Sequence, residues 1–389
     1  VSGAPASALR EDAIALLSDL IGFPTITGGP NLDLIDHAQR HLEAVDAVVD
    51  LTHDGEGHKA NLLARIGPAV DGGVVLSGHT DVVPADPDQW TSPPFVASLR
   101  GSAIYGRGAA DTKGFIACLL AMAPRFAGAG ITRPVHLALT FDEEVSGVGA
   151  PLLIEQLMSG PRPSVAIVGE PTQMAIVEAN KGSFEYRTTF TGVEGHASTP
   201  DLGVNAVDLA ARFVTGLRAL GGELRARTPP DSPFQPPEST LSVGRIEGGT
   251  ARNVIPGSCT VDWELRPVVR ADAEHATARV RELEAGLREE MRAASPEADV
   301  STEIVGEVEG LERVEDSPAV ELASRLLDGP PRRAVSFGSE AGFYQRAGIP
   351  TVVCGPGSID VAHRPDEHLP LTQLDACLAM LERLVEELR

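Results

Sequence analysis

Five side chains of metal-ligating or proton-transferring type, His79, Glu143, Glu144, Glu170 and His363, stand where short apolar runs give out. Val74-Val75-Leu76 leads into Ser77-Gly78-His79-Thr80-Asp81, and residues 135–141 lead into Asp142-Glu143-Glu144. Val165-Ala166-Ile167-Val168 leads into Gly169-Glu170-Pro171, and Thr351-Val352-Val353-Cys354 leads into Gly355-Pro356-Gly357, with His363 soon after. Asp111 closes a glycine-rich stretch, Tyr105-Gly106-Arg107-Gly108-Ala109-Ala110-Asp111, ahead of a helical pattern. Asp111, Glu144 and Glu170 bring three negative charges, a bridging hydroxide would add a fourth, and two divalent cations would cancel them. Without cations, converging carboxylates repel one another and raise each other's pKa. Imidazole with carboxylate suits zinc, with cobalt or manganese as alternatives. Asp81, two residues from His79 in an extended chain, is placed to hold the imidazole in orientation. Glu143 points away from its neighbour Glu144, escapes coordination, and is placed to take a proton from metal-bound water.

The elements that must carry these groups follow from the apolar pattern. Nearly continuous apolar runs suit strands buried on both faces of a largely parallel sheet, with helices between them at 9–21, 113–127 and 149–158. Open α/β sheets bind ligands beyond the carboxyl ends of their strands, which is where the acids and histidines fall. From about 182 to 307 the pattern changes to strand, helix, strand, strand, helix, strand, with helices near 203–220 and 271–293. Residues 228–237 carry five prolines and read as an exposed loop. The expected architecture is an α/β domain with a mixed, largely parallel sheet flanked by helices and an inserted α+β domain: 1–178 and 310–389 form the first, 179–309 the second.

At 389 residues the chain is long for a single core, and 42% hydrophobic residues support packed globular domains. A net charge of −23 disfavours nucleic acid and anionic membranes, which need clustered Lys and Arg. No apolar run reaches the roughly 20 residues of a membrane span. The first ten residues show no secretory pattern, and Cys118, Cys259, Cys354 and Cys377 show no disulfide or metal spacing. A reducing cytoplasm is therefore expected. Seven histidines (His37, His41, His53, His58, His136, His275 and His368) read as surface or core groups. Ser77 and Ser339 lack the flanking pattern of a nucleophilic serine, which disfavours a serine hydrolase.

These motifs, in order, resemble the dizinc metallopeptidase family that includes acetylornithine deacetylases, succinyl-diaminopimelate desuccinylases, aminoacylases and glutamate carboxypeptidases. The stretches that carry the resemblance are 77–84, 106–114, 142–144, 169–172 and 362–367. The resemblance implies that Asp111 bridges two zinc-type ions, that His79 and Glu170 complete one site, and that Glu144 and His363 complete the other. It implies Glu143 as general base and then general acid, Asp81 as a supporting catalytic residue, and a cis peptide after Asp111. The insert is similar to the family's lid and dimerisation domain, which implies a homodimer. There Gly195-His196-Ala197-Ser198 matches the stretch whose histidine supports the substrate carbonyl, and the stretches with Asn253 and Arg266 match segments that hold substrate.

Within the family, the stretches 337–343 and 353–360 resemble the acetylornithine deacetylase branch, which places Ser339 and Glu340 near substrate; Glu340 could pair with a side-chain ammonium. Desuccinylases carry two arginines where this chain has Asn180-Lys181 before Gly182-Ser183, and the branch often has Met where this chain has Thr112. The expected activity is removal of an acyl group from an N-acyl amino acid, foremost N-acetylornithine. A desuccinylase, an aminoacylase or a dipeptidase is the nearest rival. A metal-free binding relative is disfavoured because no ligand or base is lost.

Overall fold

A computed structural model of the chain describes residues 4–145, 147–327 and 329–389. Along the chain run α1 (Ala4–Ile21), α2 (Leu32–Glu43), β1 (Val48–His53), β2 (Ala60–Ile66), β3 (Val74–His79), β4 (Ser98–Arg100), β5 (Ala103–Tyr105), α3 (Lys113–Gly128), β6 (Val135–Thr140), α4 (Gly149–Met158), β7 (Val165–Val168) and β8 (Ile176–Asn180). Next come β9 (Ser183–Thr191), β10 (Gly195–His196), α5 (Ala206–Ala226), β11 (Thr240–Gly248), β12 (Val254–Ile255), β13 (Ser258–Arg266), α6 (Arg270–Ala294) and β14 (Asp299–Val308). The chain closes with α7 (Pro318–Leu326), β15 (Arg332–Val335), α8 (Ala341–Arg346), β16 (Thr351–Val353), β17 (His368–Pro370) and α9 (Leu371–Leu388). Two compact units result: 1–179 with 313–334 and 339–389, and 180–312 with 335–338. The small piece 335–338 joins the second unit, where the Lys181 backbone N–H donates to the Val335 carbonyl.

The first unit is built on an eight-stranded sheet in the order β1-β2-β6-β3-β7-β16-β8-β15. Its centre, β6-β3-β7-β16, is parallel, while β1 pairs antiparallel with β2, β2 with β6 and β8 with β16. Every residue of β3, β6, β7 and β16 is buried. Helices α3 and α4 both pack on β2 and β6, and at the centre of the sheet neither face meets water, so these four strands need no polar alternation. One core gathers Leu17, Leu76, Phe115, Leu119, Ile167 and Leu381 from strands and helices alike. A rigid centre of this kind fixes the strand ends, and with them the groups that follow.

The second unit is antiparallel throughout, in the order β11-β13-β9-β14. Alternating burial along β9 and β13 marks a sheet with one covered face. Phe184, Tyr186, Val261, Trp263 and Leu265 turn inward onto Phe213 and Leu217 of α5 and Val280 and Leu287 of α6. The Asn205 side chain caps α5 by accepting from the Val207 and Asp208 N–H groups, a contact worth roughly 1 kcal/mol. Among the described residues no helix is long and apolar enough to cross a membrane.

Candidate metal centre

The parallel strands end where the sequence places its chemistry. His79 is the last residue of β3, and Glu170 follows β7 by two residues. Asp142, Glu143 and Glu144 turn sharply after β6, with Asp142 at φ 57°. Asp111 ends the glycine-rich turn before α3; Gly108 there has φ 82°, and a Cβ on it would stand 2.7 Å from Val82. The peptide between Asp111 and Thr112 is cis, as the resemblance implies.

Two donor sets form, and Asp111 belongs to both: His79, Asp111 and Glu170, and Asp111, Glu144 and His363, with the ligand atoms of each set within 4.8 Å of one another. His79 Nε2 lies 3.0 Å from Asp111 Oδ1 and 4.0 Å from Glu170 Oε1. His363 Nε2 lies 3.2 Å from Asp111 Oδ2 and 3.0 Å from Glu144 Oε2. One imidazole and two carboxylates in each set fit a divalent ion of zinc type.

Charge repulsion supports that fit. Two like charges about 4 Å apart at an effective dielectric of about 20 cost on the order of 4 kcal/mol, so the protein without metal must store protons here instead. Burial, then the charges of Asp111 and Glu143, push the Glu170 carboxyl well above its usual range. Glu143 is pushed well up by burial and by Glu144, Glu340 and Asp111, against the opposing charge of His79. Glu144 is raised by burial and by Asp111. Burial opposes a charged His79, yet the hydrogen bond to Asp111 and the surrounding carboxylates outweigh it and hold its pKa well above the ordinary imidazole value. Bonds to Asp111 and Glu144 lift His363 to about 10. Asp111 alone is held below its usual range: burial is outweighed by its bonds to His363 and His79. Divalent cations would replace these shared protons.

One expectation is corrected. The Asp81 carboxylate sits 3.7 Å from His79 Nδ1, too far for a hydrogen bond. The Asp81 main-chain carbonyl, at 2.9 Å, receives the Nδ1 proton instead. The carboxylate accepts from the backbone N–H groups of Glu143 (3.1 Å) and Glu144 (3.2 Å). It therefore holds the acid turn. Asp142 pins the same turn from the other side, accepting from the Gly28 N–H at 2.9 Å and pairing with Lys59.

Ser339 and Glu340, expected near substrate, are buried at 0% and 1% exposure. The Ser339 hydroxyl accepts from the Ala341 N–H at 3.4 Å. Glu340 Oε2 accepts from the Ser77 hydroxyl at 3.3 Å, and Ser77 in turn accepts from Tyr344 at 2.9 Å. Burial lifts the Glu340 carboxyl to about 7. In this conformation an ammonium in solvent has no surface of Glu340 to meet.

The second unit brings His196 and Asn253 together. β10 pairs with β12, and the Ala197 N–H donates to the Asn253 carbonyl at 3.1 Å. His196 is exposed, and its Nδ1 lies 2.7 Å from the Ser198 hydroxyl and 3.2 Å from the Ser198 N–H. Arg266, at the end of β13, rests on Glu264 at 2.9 Å. Lys181 is buried, and its ammonium donates to the carbonyls of Pro236 (2.8 Å) and Glu238 (2.7 Å). Its charge secures the proline-rich loop and is spent there.

Sequence reasoning missed Glu367. It lies in a stretch quoted for its histidine, and its spacing alone gives no role; its carboxylate is fully buried against the 107–111 turn.

The paired donor sets, taken with the family and the relatives that the chain matches, define a metal-dependent hydrolase acting on amide bonds. The sequence profile of peptidase family M20/M25/M40 matches residues 75–387, and the chain belongs to that family. It is 37% identical over 376 residues to an acetylornithine deacetylase of Myxococcus xanthus, covering 95% of this chain and 96% of that one. It is 33% identical to the acetylornithine deacetylase of Proteus mirabilis (strain HI4320), covering 96% of both. In fold it is similar to an M20 family metallo-carboxypeptidase, Sso-CP2, from Sulfolobus solfataricus, with a TM-score of 0.74, 19% identity, and 96% and 98% of the two chains covered.

Proposed function

We propose that the chain hydrolyses the amide bond of an N-acyl amino acid, with N-acetylornithine as the substrate and acetate and ornithine as products. The observation that carries the chemistry is the pair of donor sets sharing Asp111, with Glu143 beside them and outside both. In this reading His79, Asp111 and Glu170 hold one divalent ion and Asp111, Glu144 and His363 the other, with zinc the best fit and cobalt or manganese as alternatives. Ions bound there supply a Lewis acid for the acyl carbonyl and a water that ionises near neutral pH. Glu143 takes the proton of the attacking water and returns it to the leaving amine as the C–N bond breaks. Asp81 fixes the turn that aims Glu143. His196 offers an Nε2–H to the oxyanion, and Asn253 and Arg266 bind substrate.

The relatives' name supports the substrate. Lys181 speaks against a succinyl group: with its charge committed to the loop carbonyls, it is not offered to a succinyl carboxylate. Chains are further proposed to pair through the 179–309 segment, with His196 serving the partner's site. Hydrolysis of N-acetylornithine and succinyl-diaminopimelate by the zinc- or cobalt-loaded enzyme, read as free amine, tests the assignment. A higher kcat/KM for N-acetylornithine is expected; a higher value for the succinyl substrate refutes it.

A further inference from the structure

We propose that Glu367 is the positioning residue of the metal centre, its carboxylate fixing the spacing between the turn that carries Asp111 and the loop that carries His363. The proposal rests on the donor-set assignment above.

A carboxylate has about four acceptor sites, and Glu367 fills them from one short run of chain. Oε2 accepts from Arg107 Nη1 at 2.7 Å and from the Gly108 N–H at 3.0 Å. Oε1 accepts from the Ala110 N–H at 2.9 Å and from the Asp111 N–H at 3.1 Å. The Glu367 main-chain carbonyl takes the Gly106 N–H at 3.0 Å. The side chains of Glu367 and Arg107 are 0% and 3% exposed. Arg107 is itself backed by the Pro84 carbonyl at 3.3 Å and by the Trp90 ring, 5.2 Å from its centroid. One of the four bonds lands on the backbone of Asp111, so the clamp sets where that carboxylate starts from.

Glu367 lies four residues beyond His363. One end of the clamp is therefore on the His363 loop and the other on Asp111. Both belong to the Asp111–Glu144–His363 set. The other set depends on it less, because His79 ends β3 and Glu170 closely follows β7 at the buried centre of the sheet. Loss of the clamp should fall mainly on one ion. A glutamine cannot replace the carboxylate: its NH2 group would face N–H donors on one of the two sides. Residues that orient metal ligands typically govern affinity by about 10–100-fold.

The test titrates metal-free wild-type protein and Glu367→Gln with Co²⁺, following visible absorption and counting bound ions at fixed free Co²⁺. Because Gln leaves the buried Arg107 without its counter-charge, the double variant Arg107→Met/Glu367→Gln, which removes both charges, is titrated alongside. Wild type should bind two ions. Both variants should bind one with near wild-type affinity and the second about 10–100-fold more weakly, with the cobalt spectrum of the second addition altered. A merely structural role would lower the melting temperature of the metal-free protein and leave both binding constants and the spectrum unchanged; that result, in either folded variant, overturns the proposal. Fewer than two ions in wild type overturns the donor-set assignment itself, and the proposal with it.

Discussion

Replacing Asp81 with asparagine separates two roles that the sequence runs together. Asp81 is buried at 3% exposure and accepts from the Glu143 and Glu144 N–H groups. Hydrogen bonds to a charged acceptor are worth about 1.5–3 kcal/mol each. Asparagine keeps one acceptor and turns an NH2 group toward the other donor, so one such bond is lost. If about half of it appears as displacement of Glu143 from the attacking water, kcat falls by about tenfold, and by about a hundredfold if most of it does. The bond that orients His79 comes from the Asp81 main-chain carbonyl, which the substitution leaves in place. The ion at His79, Asp111 and Glu170 should therefore bind as in wild type. The assay pairs kcat on a saturating N-acyl amino acid with a chelator competition that resolves the two ions. Wild-type kcat in Asp81→Asn, or selective loss of the ion at His79, would refute the reasoning; the latter would return the Asp81 carboxylate to orienting the imidazole.

Other expectations follow from the same geometry. Glu143→Gln should keep both ions and lose about 10²–10⁴-fold in kcat, whereas Glu144→Gln should bind one ion weakly; metal analysis showing the reverse exchanges the two roles. In metal-free protein, burial raises the Glu340 carboxyl from 4.5 to about 7, so between those values the native state holds a proton that the unfolded chain has released, and stability falls as pH rises. Glu340→Gln removes that slope, and its stability relative to wild type should improve from pH 5 to pH 8 by on the order of 3 kcal/mol; denaturant unfolding that gives the same difference at both pH values contradicts this. Mixing Glu143→Gln with His196→Ala after verified subunit exchange should restore activity, because one of the two sites in a mixed dimer then carries neither defect; no recovery rules out action of His196 on the partner's site.

What the sequence disclosed was whatever has a period or a fixed offset. β3, β6, β7 and β16 stand out as apolar runs because both faces are covered, and their ends deliver His79, the acid turn and Glu170. Helix α4 lies at 149–158 as its apolar spacing predicts, and the order of the long strands and helices from 183 to 308 follows the expected alternation. Strands β1 and β2 escaped notice. β1 lies at the sheet edge with exposed and half-buried residues, and β2 is interrupted by Asn61 and Arg65. Helices α2 and α9 were also missed. The α2 segment is largely polar and declares itself only through Leu34, Ile35, Ala38 and Leu42 on one side. Carboxylates that serve the backbone were the hardest to read. Asp81, Asp142 and Glu367 each spend themselves on N–H groups brought near by the fold, and an N–H group has no signature in sequence. The burial of Glu340 was hidden for the same reason, since Ser77 and Tyr344, the groups that surround it, are distant in sequence or read as ordinary strand and helix residues.

The central claim is that two ions share Asp111 while Glu143 touches neither. Anomalous diffraction from zinc-loaded crystals at neutral pH tests it most directly. Two peaks are predicted, one against His79, Asp111 and Glu170 and the other against Asp111, Glu144 and His363, with the Glu143 carboxylate bound to neither. A single peak, no peak, or a peak coordinated by Glu143 would contradict the account.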